Sequence, residues 1–198
     1  MKKALIIDDR KDRKKLYLSE EEQEALRELE KNGHLTIKES FPSETFLESF
    51  SLIAAHRSYL VNTGKYNELF KYCRQNQKFL IVFSGNISPN IIMNSGQQLD
   101  INASDFYSKN LPTFISGYCN NEYKYPLLQY LYGSSWRLSL LLQYRYLLWT
   151  YDNLDEIEDL NDRALEERLR SILWEGYSVS FEKVTNEIND EISKNIHS

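Results

Sequence analysis

The segment Ala4–Asp8 is an unbroken apolar run that ends in acid, and Asp9 follows directly. No polar residue interrupts the run at alternate positions, so neither face of an extended strand here could meet water. That pattern belongs to a central parallel strand buried on both faces. Two similar runs recur. Ser51–Ala55 is short and apolar and ends at His56. Lys78–Phe83 reads KFLIVF and ends at Ser84-Gly85. A chain with such strands must cover both faces of a sheet, and the segments between them supply the cover.

Ser19 followed by Glu22 has the capping-box form and predicts a helix from Glu20 to Lys31, closed by Asn32-Gly33. His34–Glu39 alternates as a second strand. Pro42-Ser43-Glu44 starts a short helix that runs to Phe50. Lys65–Asn76 places Leu69, Phe70 and Cys73 at helical spacing. Residues 10–18 read as basic and irregular, and an irregular stretch follows His56 and runs to Gly64. Ile91–Met93 and Leu99–Ile101 flank a turn-rich segment and read as a hairpin or long loop. Ala103–Ser108 reads as a last short strand with Lys109 behind it. Alternation of strand and helix predicts an α/β fold, a flavodoxin-like parallel sheet of about five strands flanked by helices, over residues 1–118. A helical extension is expected over 122–198.

Ligands of such sheets gather beyond the carboxyl ends of the strands. The polar residues expected there are Asp8, Asp9, His56, Ser84 and Lys109. Two adjacent carboxylates repel unless a cation or basic group lies between them, and Lys109 is the expected partner.

In order and spacing these residues resemble the receiver domain of two-component response regulators. The resemblance covers roughly residues 1–118. It rests on LIIDD for the acid pair, SLIAAH in the third-strand slot, FLIVFSG for Ser84 and ASDFYSKN for Lys109. It implies a site where the acids hold Mg²⁺ through oxygen and the hydroxyl and ammonium bind a phosphoryl group. The sequence departs from that pattern where the family carries its phosphate-accepting Asp, because His56 stands there. Asn110 replaces the Pro usual after the Lys. The resemblance is therefore to a pseudo-receiver, a fold kept with its phosphorylation switch removed or altered.

His56 could accept a phosphoryl group, bind a transition metal with Asp8 and Asp9, or sense pH. Its bland alternative is a histidine hydrogen-bonded to an Asp at a fossil site. Mg²⁺ at Asp8 and Asp9 is weighed against a simple Lys109 pair. No cofactor is otherwise expected.

A formal charge of −5 over 198 residues argues against a dedicated nucleic-acid binder, although basic residues cluster between positions 2 and 15. Cys73 and Cys119 suggest neither a disulfide framework nor a zinc site, which suits a reducing cytoplasm. Leu127–Trp149 is the one membrane candidate, and its Arg137 and Arg145 turn the reading to a buried soluble helix. Within the extension, Leu141, Tyr144, Leu148, Trp149, Leu169 and Trp174 are the expected interface, rimmed by acids over 152–162.

These readings lead to a non-catalytic regulatory or adaptor protein. It would work by self-association or by docking to a kinase, ATPase or effector subunit. Two alternatives stand beside it. One is a metal-dependent phosphoryl-transfer enzyme, a phosphatase or nuclease using Asp8, Asp9 and His56. The other is an atypical receiver switched by phosphorylation.

Overall fold

A computed structural model describes residues 2–133, except 11, 89, 94–96 and 124. The expected interface from Leu141 to Trp174 lies outside the described residues.

The chain runs β1 (Ala4–Ile7), α1 (Arg13–Tyr17), α2 (Glu20–Lys31), β2 (Leu35–Lys38), α3 (Glu44–Leu47), β3 (Leu52–His56), α4 (Arg57–Asn62) and α5 (Tyr66–Gln75). It continues through β4 (Phe79–Ser84), β5 (Ile91–Met93), β6 (Gln98–Asn102), α6 (Ala103–Ser108), α7 (Leu111–Cys119) and α8 (Pro126–Tyr132). The sheet order is β2-β1-β3-β4-β6-β5. The first five strands in that order are all parallel, and β5 adds an antiparallel edge to β6. This is the flavodoxin-like α/β arrangement.

The unbroken apolar runs behave as their pattern demands. In β1, Ala4 and Ile6 enter one core with Leu26, Phe83, Phe106 and Tyr118. Leu5 and Ile7 enter the other with Leu47, Leu60, Leu69 and Cys73. Residues of α2, α6, α7 and α8 therefore cover one face, and those of α3, α4 and α5 the other. Ser19 caps α2 as expected. Its hydroxyl accepts from the Glu22 N–H, and the Glu22 carboxylate accepts from the Ser19 N–H. Cys73 is buried, and burial pushes its thiol up to about 12. Leu127, Tyr130 and Leu131 of α8 pack in the same core as α6 and α7, so the packed body continues past residue 118. Among the described residues, no helix is long and apolar enough to cross a membrane.

Three local expectations are corrected. Residues 13–17 form α1 rather than irregular chain, anchored by buried Arg13 and by Leu18 behind it. Residues 57–62 form α4, which buries only Leu60 and is followed, after its cap Thr63, by Gly64, where φ is +70°. Ala103–Ser108 is a helix. The fifth parallel strand lies just before it, at Gln98–Asn102, as the second arm of the hairpin. Asn102 converts strand to helix, because its side-chain oxygen accepts from the N–H of Ser104 at 2.9 Å.

Candidate functional site

The carboxyl ends of β1, β3, β4 and β6 carry Asp8-Asp9, His56, Ser84 and Asn102 respectively. Asp8 is 2% exposed. Its Oδ1 accepts from Arg13 Nη1 at 2.5 Å and from the Arg10 N–H at 3.1 Å. Its Oδ2 accepts from the Tyr107 hydroxyl at 2.5 Å. The Arg13 guanidinium is itself buried and also lies 3.9 Å from Asp9 Oδ1. A charge removed from water in this way persists only when its partners compensate it. Here Arg13 supplies the opposite charge, and Tyr107 and the Arg10 N–H fill two further acceptor positions.

The cation required between the two acids is therefore Arg13, five residues after Asp8. Among the described residues, Lys109 forms no ion pair with either acid. It caps the end of α6, and its ammonium donates to the Leu131 carbonyl at 3.1 Å. The expected Lys109 position depended on a strand over Ala103–Ser108, and the helix there carries the lysine elsewhere. It brings Tyr107 to Asp8 instead. The Tyr107 hydroxyl is held well above the ordinary phenol range, first by burial and then by the Asp8 charge. Tyr107 stays a protonated donor.

Asp9 remains partly exposed. His56 Nδ1 lies 3.3 Å from Asp9 Oδ1 but makes no hydrogen bond. The distance would suit an ion pair if the ring were charged. Burial and then the nearby Arg13 guanidinium lower the imidazole pKa, against the pull of Asp8 and Asp9, and so favour the neutral ring. Phe83 packs against it, with ring centroids 5.5 Å apart. Ser84 is buried one residue beyond the Phe83 position that pairs with His56.

The structure thus brings Asp8, Asp9 and His56 together, places Ser84 at a neighbouring strand end, and leaves Lys109 out. Arg13 and Tyr107 join the cluster. Arg13 had a signal, since it belongs to the basic run after the acid pair. Tyr107 had none in the local pattern.

As the side chains stand, a divalent ion at Asp8 would compete with the Arg13 guanidinium for Oδ1. It would also find an imidazole where a third carboxylate would suit it. Among the described residues, no group of three or more His, Cys, Asp and Glu side chains is placed to hold a metal. Comparison of the chain with protein-family models, curated proteins and solved structures found no match.

The buried neutral imidazole gives a pH test. A lowered histidine pKa means that the unfolded chain takes up the proton first as pH falls. Stability from this group is complete above the unfolded value near 6.5 and is lost as pH falls from there toward the lower folded value. Urea unfolding across pH 7.5 to 5 should show parent stability falling relative to His56→Asn. The difference can change by at most about 1.4 kcal/mol per pH unit. Parallel curves would mean that His56 titrates normally in the folded protein.

Proposed function

We propose that the protein is a non-catalytic regulatory or adaptor protein on a pseudo-receiver scaffold, acting through protein contacts. The observation that carries this reading is Arg13, whose guanidinium lies between the acid pair. In the receivers that the sequence resembles, the acids hold a metal and the site's charge changes on phosphorylation. Here a permanent cation from the same chain neutralises Asp8, and a neutral imidazole stands at the acceptor position. Such a site holds one charge state and has nothing to switch. Output then comes from the constant shape of the body and from contacts made elsewhere on the chain. The partner class is a kinase, ATPase or effector subunit, or a second copy of the chain. Two buried free cysteines suit work in a reducing cytoplasm.

The full chain incubated with acetyl phosphate and Mg²⁺, and separately with beryllofluoride and Mg²⁺, should gain no adduct by intact mass and no thermal stabilisation. An acid-labile phosphoryl adduct would overturn the reading in favour of a live switch. The 3.3 Å approach of His56 to Asp9 favours the metal-dependent phosphoryl-transfer alternative. Hydrolysis of p-nitrophenyl phosphate with Mn²⁺, abolished by Asp9→Asn, would establish that alternative instead.

A further inference from the structure

The opposite end of the sheet carries a cavity unrelated to the acid pair. It opens to solvent at the amino ends of β1, β3 and β4 and has a volume of about 430 Å³. Its polar walls come from four places in the chain. Lys2 and Lys3 precede β1, Ser49 and Ser51 precede β3, Asn76, Gln77 and Lys78 precede β4, and Asn121 follows α7. Three lysines face one acid, Glu48.

Lys78 is already committed. Its ammonium donates to the carbonyls of Leu47, Glu48 and Phe50 at 3.0, 3.0 and 2.6 Å. These three bonds use all its protons, so it contributes a fixed positive charge to the wall and no free donor. Lys2 and Lys3 differ. Among the described residues neither forms an ion pair with a carboxylate, and Lys2 lies over the Tyr118 ring with its Nζ 5.1 Å from the centroid. Gln77 and Asn121 both sit in left-handed backbone conformation, with φ of 51° and 61°. The cavity therefore combines uncompensated positive charge with amide and hydroxyl groups that can donate.

We propose that this cavity binds a small phosphate-bearing anion. Its volume falls within the range of small-molecule sites and suits a group the size of pyrophosphate or a sugar phosphate. The two uncompensated lysines supply charge-assisted hydrogen bonds to phosphate oxygens. Lys78 adds field, and the Ser49 hydroxyl and the Gln77 and Asn121 amides supply orientation, while the Ser51 hydroxyl already donates to the Lys3 carbonyl at 3.4 Å. The site is at the end of the sheet away from Asp8, so it does not depend on the adaptor reading.

The test is a titration of the ¹⁵N-labelled full chain with inorganic pyrophosphate at near-physiological salt, followed by amide shifts. Saturable shifts at Lys3, Ser49, Ser51, Gln77 and Lys78 are expected. Lys2→Gln/Lys3→Gln should weaken binding at least about tenfold, while Lys14→Gln/Lys15→Gln should leave it unchanged. Lys3→Arg should retain most of the affinity. Absence of saturable shifts at the cavity in the parent protein would overturn the proposal, whatever the variants do. So would shifts confined to residues 10–15, or equal affinity in the Lys2/Lys3 double variant.

Discussion

Arg13→Met should destabilise the protein by about 3–5 kcal/mol, the cost of leaving a buried charge without its partner. Asp8 would keep the Tyr107 hydroxyl and the Arg10 N–H but lose the one buried counter-charge it has among the described residues, with Asp9 close by. Met fills much the same volume, so the loss reports charge rather than packing. The double variant Arg13→Met/Asp8→Asn should recover most of it, because an amide can still accept from Tyr107 and leaves no stranded charge. Urea unfolding of parent, both single variants and the double variant gives the coupling directly. Arg13→Met should also gain a Mg²⁺-dependent rise in melting temperature that the parent lacks, since the acids would be free for an added cation. A stable single variant would show that the guanidinium is solvated and that the site is not internally neutralised.

Phe106→Ala should cost a similar amount, about 3–5 kcal/mol for an aromatic ring removed from a packed core. Phe106 is fully buried, stacks on Phe83 with ring centroids 4.3 Å apart, and meets Tyr107 edge-on at 4.9 Å. Its carbonyl accepts from the Tyr130 hydroxyl. The comparison with its neighbours tests the helix itself. In a strand, Phe106 and Tyr107 would point to opposite faces; in α6 both enter the same core. Tyr107→Phe keeps the packing and removes one donor from Asp8, so it should cost less, about 1–3 kcal/mol. Ser108→Ala, at an exposed position, should be nearly neutral. Equal small losses at 106 and 107, by thermal or urea unfolding, would contradict the packing described for α6.

What the sequence made legible follows from the range of each interaction. The strands at Ala4–Ile7, Leu52–His56 and Phe79–Ser84 show in composition alone, because burial on both faces permits nothing polar. The α2 start shows because a capping box is complete within four residues. The turn between Ile91 and Ile101 shows in the sequence as a hairpin or long loop, but nothing local marks its second arm as the fifth parallel strand. The helices α1 and α4 are too short to display a period, and α4 buries a single apolar residue. At Ala103–Ser108 the segment ASDFYSKN fits the receiver's fifth-strand pattern, yet Asn102 caps a helix there. That local misreading displaced Lys109 and concealed Tyr107. The need for a cation at Asp8 and Asp9 was legible from the acids alone. Its identity was not, because Arg13 is selected by how α1 docks.

The hydrogen bond between Tyr107 and Asp8 spans 99 residues, which gives the acid-pair cluster a place in the order of synthesis. The strands emerge from the ribosome as β1, β2, β3, β4 and then the hairpin, and after β2 each adds to the same growing side of the sheet. β1 has both neighbours once β3 has emerged, and Arg13 is available to Asp8 from the outset. Tyr107 arrives only with α6. Until α6 is made, Asp8 lacks the Tyr107 donor it has in the folded chain. Completion of the cluster therefore requires the α6 layer to close over the sheet, and a contact of such sequence separation is of the kind that slows folding.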